Sequence, residues 1–424
     1  MALGLYISVP FCRTKCSYCN FASDVFSRAM FDRYVERVCA DIQNAPAAAE
    51  RMGGRFEREV DSVYLGGGTP TVLDCQQLER LFVTIRQNFC LQPETEITVE
   101  CAPGTLTPAL LETLLKCGVN RVSLGVQSFV DQEAAAVGRL HKRATVLDDI
   151  ARLRSAGISN INIDLIAGLP HQTRESWDFS LSETIAIGTP HVSVYMLEVD
   201  EDSRLGREVI AGGTRYHAHF VPDDDLTADL YVLACERLES AGVRQYEISN
   251  FAREDSESRH NLKYWTRQPY LGFGVDAHSM LEASDDPYVL VRAAEGESRK
   301  EIGGSPACEL PVAAMEAVRF ATADSLESYV TGAALKRTPI SSRAALEEAL
   351  FLGLRLTRGV DLRLLALQYG ADAMTGFAPQ ISELVEDGLM EKDGDVIRLT
   401  VRGRLLSNEV FERFISLSES RQKA

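Results

Sequence analysis

The chain has 424 residues, of which 45% are hydrophobic and 25% are charged, so it can bury a large core and its composition is not that of a disordered protein. Lysine and arginine number 44 against 61 aspartates and glutamates, and the formal charge of −17 disfavours a nucleic-acid backbone or an anionic membrane surface as the main partner. Neither a basic leader nor a run of 18 apolar residues occurs, so we expect a cytoplasmic protein with no integral membrane segment.

Short β-branched runs alternate with longer amphipathic segments through the first half of the chain. The predicted strands are 3–9, 62–65, 96–100, 121–125, 160–166 and 191–197. The predicted helices between them are 26–44, 75–88, 108–117, 145–156 and 174–187. This alternation predicts an α/β fold in which a parallel sheet is covered by helices, and six such units suffice for a partial (βα)6 barrel.

The alternation of predicted strands and helices stops after residue 200. A predicted helix at 226–240 then completes a core domain of residues 1–240. Residues 241–310 read as an extension that includes a polar surface excursion at 283–306. In a C-terminal domain of residues 311–424, amphipathic helices at 344–354, 361–369 and 380–389 precede a hairpin at 390–399. That order is typical of a winged-helix-like module, but without a basic stripe it favours packing or interaction over DNA binding.

Unusual polar and glycine residues fall at the carboxyl ends of the predicted strands. The glycine loop 66–70 follows the second strand, Glu100 ends the third, Gln127 follows the fourth and Asp164 lies in the fifth. Because βα loops and helix N-termini converge at that end of a parallel sheet or barrel, these residues are candidates for one binding site.

Three cysteines follow the first strand with the spacing Cys-x3-Cys-x2-Cys, namely Cys12, Cys16 and Cys19. Thiolates so close together suit iron-sulfur ligation or zinc. A structural zinc site needs a fourth cysteine or histidine nearby, yet the next cysteine is Cys39 and the first histidine is His141. Three ligands therefore leave one coordination position open, and the other seven cysteines are scattered and expected to be small core residues.

The cysteine loop resembles the signature of the radical S-adenosyl-L-methionine (SAM) superfamily. Further segments extend the resemblance along nearly the whole chain to the family that contains oxygen-independent coproporphyrinogen III oxidase (HemN) and the heme chaperone HemW. The segments that carry it are 6–12 (YISVPFC), 66–70 (GGGTP), 125–129 (GVQSF), 162–170 (NIDLIAGLP) and 260–265 (HNLKYW). Each is weak alone, but their order and spacing make the resemblance specific.

The resemblance implies that Cys12, Cys16 and Cys19 hold a [4Fe-4S] cluster whose fourth iron is chelated by SAM. Reductive cleavage of SAM by that cluster is the chemistry of the superfamily. The implied SAM-binding residues are Tyr6, Tyr18, Gly67, Gly68, Thr69, Glu100, Gln127, Arg139 and Asp164. For the two tyrosines, core packing is the alternative interpretation, and for the charged residues it is surface salt bridging.

Within this family two functions compete. The oxidase resembles this chain but carries a further cysteine two residues after the third, where Phe21 stands here, and an extended segment before the first strand. Both departures favour a heme chaperone, as does the His-Asn-x-x-Tyr-Trp motif, in which His260 could supply an axial ligand and Tyr264 and Trp265 an apolar wall. A packing role is the alternative for His260.

We therefore expect a heme chaperone of porphyrin metabolism that binds the cluster, SAM and heme and delivers heme to an unidentified acceptor protein. The alternative is an oxygen-independent coproporphyrinogen III oxidase that uses a 5′-deoxyadenosyl radical. A third possibility is a scaffold whose iron-sulfur cluster is purely structural. Whether the chain is an enzyme stays open at this point.

Overall fold

The computed structural model describes residues 1–284 and 315–415. Its strands are β1 (Leu3–Val9), β2 (Glu59–Gly67), β3 (Cys90–Cys101), β4 (Arg121–Gln127), β5 (Asn160–Ala167), β6 (His191–Met196), β7 (Arg244–Gln245), β8 (Asn250–Ala252), β9 (Tyr270–Gly274), β10 (His278–Glu282), β11 (Met315–Ala321), β12 (Lys336–Ser341), β13 (Val360–Asp361), β14 (Met390–Asp393) and β15 (Val396–Leu399).

The helices are α1 (Arg28–Gln43), α2 (Ala45–Met52), α3 (Cys75–Asn88), α4 (Pro108–Lys116), α5 (Asp131–Ala136), α6 (Arg143–Ser155), α7 (Arg174–Ile187), α8 (Arg204–Ile210), α9 (Asp224–Ser240), α10 (Arg259–Trp265) and α11 (Leu326–Val330).

The C-terminal helices span Ser342–Gly353, Leu362–Tyr369, Ala371–Thr375, Ala378–Glu386, Val401–Leu405 and Ser407–Glu412. Two short 3-10 segments, Pro70–Val72 and Arg215–Phe220, lie in loops of the first half. No helix in residues 1–284 or 315–415 has the length and apolar character needed to cross a bilayer.

The six parallel strands that the sequence predicts are confirmed, and they are neighbours in chain order. Within the described residues, twelve strands form one sheet in the order β12-β11-β10-β9-β1-β2-β3-β4-β5-β6-β8-β7. Residues Gly4, Ser62 and Glu96 are level with one another on β1, β2 and β3. The α/β fold with a partial (βα)6 barrel is therefore confirmed.

Local sequence explains where these elements begin and end. Strand β1 is buried along its whole length apart from Tyr6, as expected for a parallel strand covered on both faces. Helix α3 starts at a capping box in which the Asp74 side chain accepts from the Gln77 backbone N–H and the Gln77 side chain accepts from the Asp74 N–H. Helix α7 ends at Gly188, whose φ of 68° suits glycine at a helix C-terminus.

The sheet extends beyond the six predicted strands at both edges, and the sequence did not predict this extension. Strand β9 pairs in parallel with the free side of β1, and β10, β11 and β12 continue that edge in antiparallel fashion. Strands β7 and β8 extend the opposite edge but have only 2 and 3 residues. Such short strands, and the glycines of β9 (YLGFG), carry little periodic signal.

Residues 342–415 form a smaller unit with its own apolar core, which includes Leu350, Phe377, Ile397 and Phe414. Its three-stranded sheet has the order β13-β15-β14, and the β14–β15 hairpin follows the helices as predicted. Residues 315–341, which the sequence division assigns to the C-terminal domain, contribute β11 and β12 to the large sheet. The polar excursion predicted at 283–306 lies almost entirely outside the described residues.

Candidate functional site

A cavity of about 340 Å³ opens at the carboxyl ends of the parallel strands. Of the twelve residues that the sequence predicts to bind the cluster or SAM, all except Tyr6 line it. These are Cys12, Cys16, Cys19, Tyr18, Gly67, Gly68, Thr69, Glu100, Gln127, Arg139 and Asp164. Residues separated by up to 152 positions in the sequence thus meet at one edge of the sheet, because the strands that carry them run in parallel.

Backbone hydrogen bonds anchor the cysteine loop at both ends. The Cys12 N–H donates to the Asp24 carbonyl at 3.0 Å, and the Ser17 N–H donates to the Val137 carbonyl at 3.1 Å. Burial raises the pKa of the Cys12 and Cys19 thiols, so both are protonated at neutral pH when no metal is bound. Binding of iron requires thiolates and so releases these protons.

The glycine loop lies directly against the cysteine loop. The N–H groups of Gly68 and Thr69 donate to the carbonyls of Val9 and Phe11, each at 2.7 Å. A Cβ atom at Gly68 would lie 2.6 Å from the Phe11 carbonyl oxygen and 3.1 Å from the Cys12 sulfur. Only glycine permits this approach, and Gly67 has a φ of 98°, in the region that side chains disfavour.

Glu100 is the penultimate residue of β3, and its side chain lines the cavity. The Tyr64 hydroxyl donates to Glu100 Oε1 at 2.9 Å, and a Cβ at Gly66 would lie 2.8 Å from the same oxygen. Burial and the neighbouring Asp164 raise the pKa of Glu100 to about 7, although the Tyr64 hydrogen bond opposes this shift. Glu100 is therefore divided between its neutral and ionised forms near pH 7.

The Asp164 carboxylate on β5 accepts hydrogen bonds from one donor on β5 and one on the neighbouring strand β4. Ser123 Oγ donates to Asp164 Oδ2 at 3.1 Å, and Asn162 Nδ2 donates to Asp164 Oδ1 at 2.7 Å. Asn162 in turn contacts the buried His191 through a 2.6 Å hydrogen bond. Burial raises the pKa of Asp164, but these donors favour the carboxylate and fix its direction.

Gln127, at the end of β4 between the strands of Glu100 and Asp164, and Arg139 also line the cavity. Gln127 adopts a φ of 69° at an irregularity in the β4–β5 register, a strained backbone conformation for a residue with a side chain. A Cβ at Gly125 would lie 2.6 Å from Arg139 Nη2, so the guanidinium fills the space that this glycine leaves. The Nε atom of Arg139 is buried without a hydrogen-bond partner among the described residues.

These features fit a [4Fe-4S] cluster with SAM. Three thiols suit iron, and an unpartnered guanidinium suits the carboxylate of an amino-acid ligand. The two carboxylates on β3 and β5 suit ribose hydroxyls or a cationic ligand. The glycine loop leaves the backbone open to a close approach.

Tyr6, the remaining predicted SAM residue, points elsewhere. It lines a separate cavity of about 160 Å³ beside Gly67 and Gly68. Its ring lies 6.1 Å from the Tyr64 ring and 6.2 Å from the His260 ring, inside the barrel.

His260 lies near the amino ends of the strands, not at the cavity. Its ring carbon faces Gly4, and its Nδ1 is hydrogen-bonded to Ser62 Oγ at 3.0 Å. Since Ser62 precedes Gly67 by five residues on β2, this is about 16 Å from the cavity edge of the strand. The other ring nitrogen, Nε2, contacts the Tyr264 hydroxyl at 2.8 Å. Both nitrogens are therefore engaged, and burial lowers the pKa of His260 to about 3.

Tyr264 and Trp265 do not form one wall with His260. The Tyr264 ring packs edge-on against Tyr270 with centroids 4.6 Å apart. Trp265 faces another cavity, and the guanidinium of Arg355 lies 4.1 Å from the centroid of its ring. The structure thus brings His260 and Tyr264 together. The Trp265 ring contacts that of Tyr264, with centroids 6.3 Å apart, but it lies at the other cavity, and heme ligation by this motif stays a prediction.

Sequence reasoning missed the residues that support the two carboxylates. Tyr64, Ser123 and Asn162 lie on the inner face of strands whose other residues are mostly apolar. Tyr64 lies two positions before Gly66, and Asn162 lies two positions before Asp164. Because side chains alternate along a strand with a period of two, this spacing could have indicated that each pair shares one face of its strand. Tyr195 on β6, which also lines the cavity, gave no such signal.

Comparisons with known proteins identify the families that this chain resembles. The model of the Radical SAM superfamily matches residues 6–182, and that of the HemN C-terminal domain matches residues 340–406. The heme chaperone HemW of Bacillus subtilis is 32% identical over 419 residues, which cover 97% of this chain and 98% of that protein. The heme chaperone HemW of Escherichia coli is 34% identical over 290 residues, which cover 67% of this chain and 71% of that protein.

Among solved structures, coproporphyrinogen III oxidase (HemN) from Escherichia coli has a TM-score of 0.76 at 24% identity, and the match covers 97% of this chain and 90% of that chain. This likeness shows a shared fold. With relatives named heme chaperone HemW matched over nearly the full length, and with the cysteine loop in the strand-end cavity, the chain belongs to the HemW family of the radical SAM superfamily.

Proposed function

We propose that this chain is a heme chaperone that holds a [4Fe-4S] cluster and SAM in the strand-end cavity, binds heme and transfers it to an acceptor protein. The observation that carries the cluster and SAM part is the meeting of three cysteines with Arg139, Glu100 and Asp164 around one cavity. The names of relatives with about a third of their residues identical support the heme part.

Different residues of the cavity would bind the cluster and SAM. Cys12, Cys16 and Cys19 would hold the cluster, which supplies an open iron position and an electron to SAM when it is bound. Arg139 would pair with the SAM carboxylate, which satisfies its buried Nε atom. Glu100, as a carboxylate, would attract the positive charge of SAM, and the buried walls would exclude water.

The cluster is tested by anaerobic reconstitution of the full-length protein. We expect about four iron atoms per chain in the wild type and loss of that iron in the C12A/C16A/C19A variant. A matched control, C75A/C90A/C235A, removes three thiols that lie outside the cavity lining and should keep the iron. Equal iron in both triple variants would contradict the assignment.

Heme transfer is tested by absorbance titration, followed by addition of an apo-hemoprotein. We expect saturable binding of heme with a shifted Soret band, and then appearance of the acceptor's own spectrum. Absence of saturable binding would overturn the heme part of the proposal. Formation of 5′-deoxyadenosine that depends on coproporphyrinogen III would instead establish the oxidase alternative, which the exposed Phe21 at the position of the oxidase's further cysteine disfavours.

A further inference from the structure

The histidines of this chain divide into two groups. All seven lie within the described residues, and His141, His191 and His260 are buried with hydrogen bonds to their rings. His191 uses both nitrogens, at 2.6 Å to Asn162 Oδ1 and 2.9 Å to the Tyr246 hydroxyl. Because a heme iron needs an imidazole nitrogen that it can reach, the accessible histidines are the better candidates.

Three accessible histidines surround one phenylalanine, and we call this set the His-Phe cluster: His171, His217, His219 and Phe220. The ring centroids of the histidines lie 4.1, 6.4 and 4.0 Å from that of Phe220, in that order. The fourth accessible histidine, His278, lies apart from the cluster on β10.

Two members of the His-Phe cluster have the relation of a metal ligand and its supporting partner. His171 Nε2 and His217 Nδ1 lie 3.0 Å apart, so one ring donates a hydrogen bond to the other. When His217 donates from Nδ1, its Nε2 carries a free lone pair on an exposed ring. Metal-bound histidines commonly donate their second ring N–H in this way, which fixes the tautomer and increases the basicity of the ligand.

The backbone holds this arrangement in an unusual conformation. His171, Tyr216 and His217 have φ values of 69°, 54° and 60°, in the left-handed region that residues with side chains rarely adopt. The His171 N–H donates to the Phe220 carbonyl at 2.9 Å, which joins the two segments. Between the exposed rings, Ala218 is only 5% exposed and so anchors the segment.

The surface around these imidazoles is apolar and adjoins the cavity. Phe220 and Tyr216 are 47% and 39% exposed, so they can pack against a flat macrocycle. Ala218 belongs to an apolar cluster with Ile166, and Ile166 lines the strand-end cavity. The His-Phe cluster is therefore connected to the strand-end cavity through one apolar cluster of side chains.

We infer that His217 provides an axial nitrogen to heme iron, with His171 as its positioning residue and Phe220 and Tyr216 against the porphyrin. This inference rests on the proposed function, because it locates the heme that a chaperone would carry. His219 adds a second imidazole to the same surface. The buried His260 then keeps its hydrogen bonds when heme binds.

The test is a titration of the full-length protein with ferric heme, followed by absorbance and electron paramagnetic resonance. We expect H217A to lower heme affinity at least tenfold and to change the iron spectrum, and added imidazole to restore the spectrum. H171A should weaken binding less and shift the spectrum, whereas H171N, which keeps a hydrogen-bonding side chain, should recover part of the effect. H278A removes an accessible histidine elsewhere and should bind like the wild type.

The outcomes separate this inference from the proposed function. If the wild type itself shows no saturable binding, the proposed function fails and the inference with it. If the wild type binds heme and H217A keeps the same affinity and spectrum, only the inference is overturned. Loss of binding in H260A but not in H217A, with an unchanged circular dichroism spectrum, would overturn it in favour of the buried motif.

Discussion

Two side chains at opposite ends of the barrel, Arg139 and His260, differ in whether their buried nitrogen atoms have hydrogen-bond partners. At the carboxyl end, three thiols and the Arg139 Nε atom lie in the cavity, and that nitrogen has no partner among the described residues. At the amino end, the helix α10 forms what we call the basal plug, in which His260 is satisfied at both nitrogens and Lys263 contacts Asp61 at 2.8 Å. In the same helix the Trp265 Nε1 atom has no partner among the described residues. Burial with partners stabilises a fold, whereas burial without partners prepares a surface for a ligand.

The largest expected effect comes from breaking the basal plug. His260→Ala leaves a cavity and removes the partners of Ser62 and Tyr264, so we expect the free energy of unfolding to fall by about 3 kcal/mol. Urea denaturation measures this, and the exposed His278→Ala should change it by less than about 0.5 kcal/mol. A His260→Ala protein as stable as the wild type would show that the plug contributes nothing to the fold.

The cavity should respond in the opposite manner. Arg139→Met removes a guanidinium that lacks a partner for its Nε, so the free energy of unfolding should not fall. SAM affinity should drop about 30-fold or more, because a charge-assisted pair worth roughly 2–3 kcal/mol is lost. Calorimetric titration with SAM and urea denaturation measure the two quantities. A loss of stability without a loss of affinity would reverse the contrast between the two ends.

A smaller effect should appear in the pH dependence of SAM binding. Because the pKa of Glu100 is about 7 in the unliganded protein, the side chain ionises as the pH rises from 6 to 8. SAM carries a positive sulfonium, so its affinity should rise over this range, by up to about tenfold. Glu100→Gln should flatten the profile, and an equal slope in both proteins would assign the dependence to another group.

The same substitution predicts a change in stability with a definite sign. A carboxyl whose pKa is raised from 4.5 to about 7 on folding binds more protons in the folded state, so its contribution to stability is lost as the pH rises through this window. Between pH 4 and pH 8 the wild type should therefore lose about 3 kcal/mol of unfolding free energy that Glu100→Gln does not lose. Thermal denaturation at the two pH values measures it.

The smallest expected effect concerns Tyr64, which contacts both His260 at the amino end of the barrel and Glu100 at the carboxyl end. Tyr64 packs against His260, with ring centroids 5.3 Å apart, and donates to Glu100. Tyr64→Phe keeps the ring and removes the donor, so the pKa of Glu100 should rise further and SAM affinity at pH 7 should fall about threefold. The midpoint of the SAM-binding pH profile reports the shift, and an unchanged midpoint would exclude this hydrogen bond as its cause.

The parallel core could be predicted from sequence because each of its strands is a compact apolar run. The predicted 3–9 coincides with β1, and 75–88 and 174–187 coincide with α3 and α7. Strand β9 could not be predicted, since it pairs with β1 across 266 positions and contains two glycines. Its place in the sheet follows from tertiary pairing, which local periodicity does not report.

The sequence predicts those site residues whose chemistry follows from their spacing along the chain. It does not predict contacts that depend on how distant segments meet in the fold. The cysteine spacing and the glycine loop indicated six cavity residues, namely Cys12, Cys16, Cys19, Gly67, Gly68 and Thr69. The ends of the predicted strands indicated Glu100 and Asp164. The hydrogen bond from Tyr64 needs the register of β2 against β3, which no pattern in a single strand contains. The His-Phe cluster joins the loop after β5 to a 3-10 segment more than 40 residues later, so only the fold brings it together.

The position of β1 in the middle of the sheet has a consequence for synthesis. Its neighbour β2 is made soon after it, but its other neighbour, β9, begins only at residue 270. A nascent chain therefore emerges with the first strand half-paired, and the cysteine loop that follows it stays near an unfinished sheet edge until most of the protein exists. If the proposed cluster is inserted during synthesis, the interval before β9 pairs with β1 would leave the cysteine loop beside an open sheet edge.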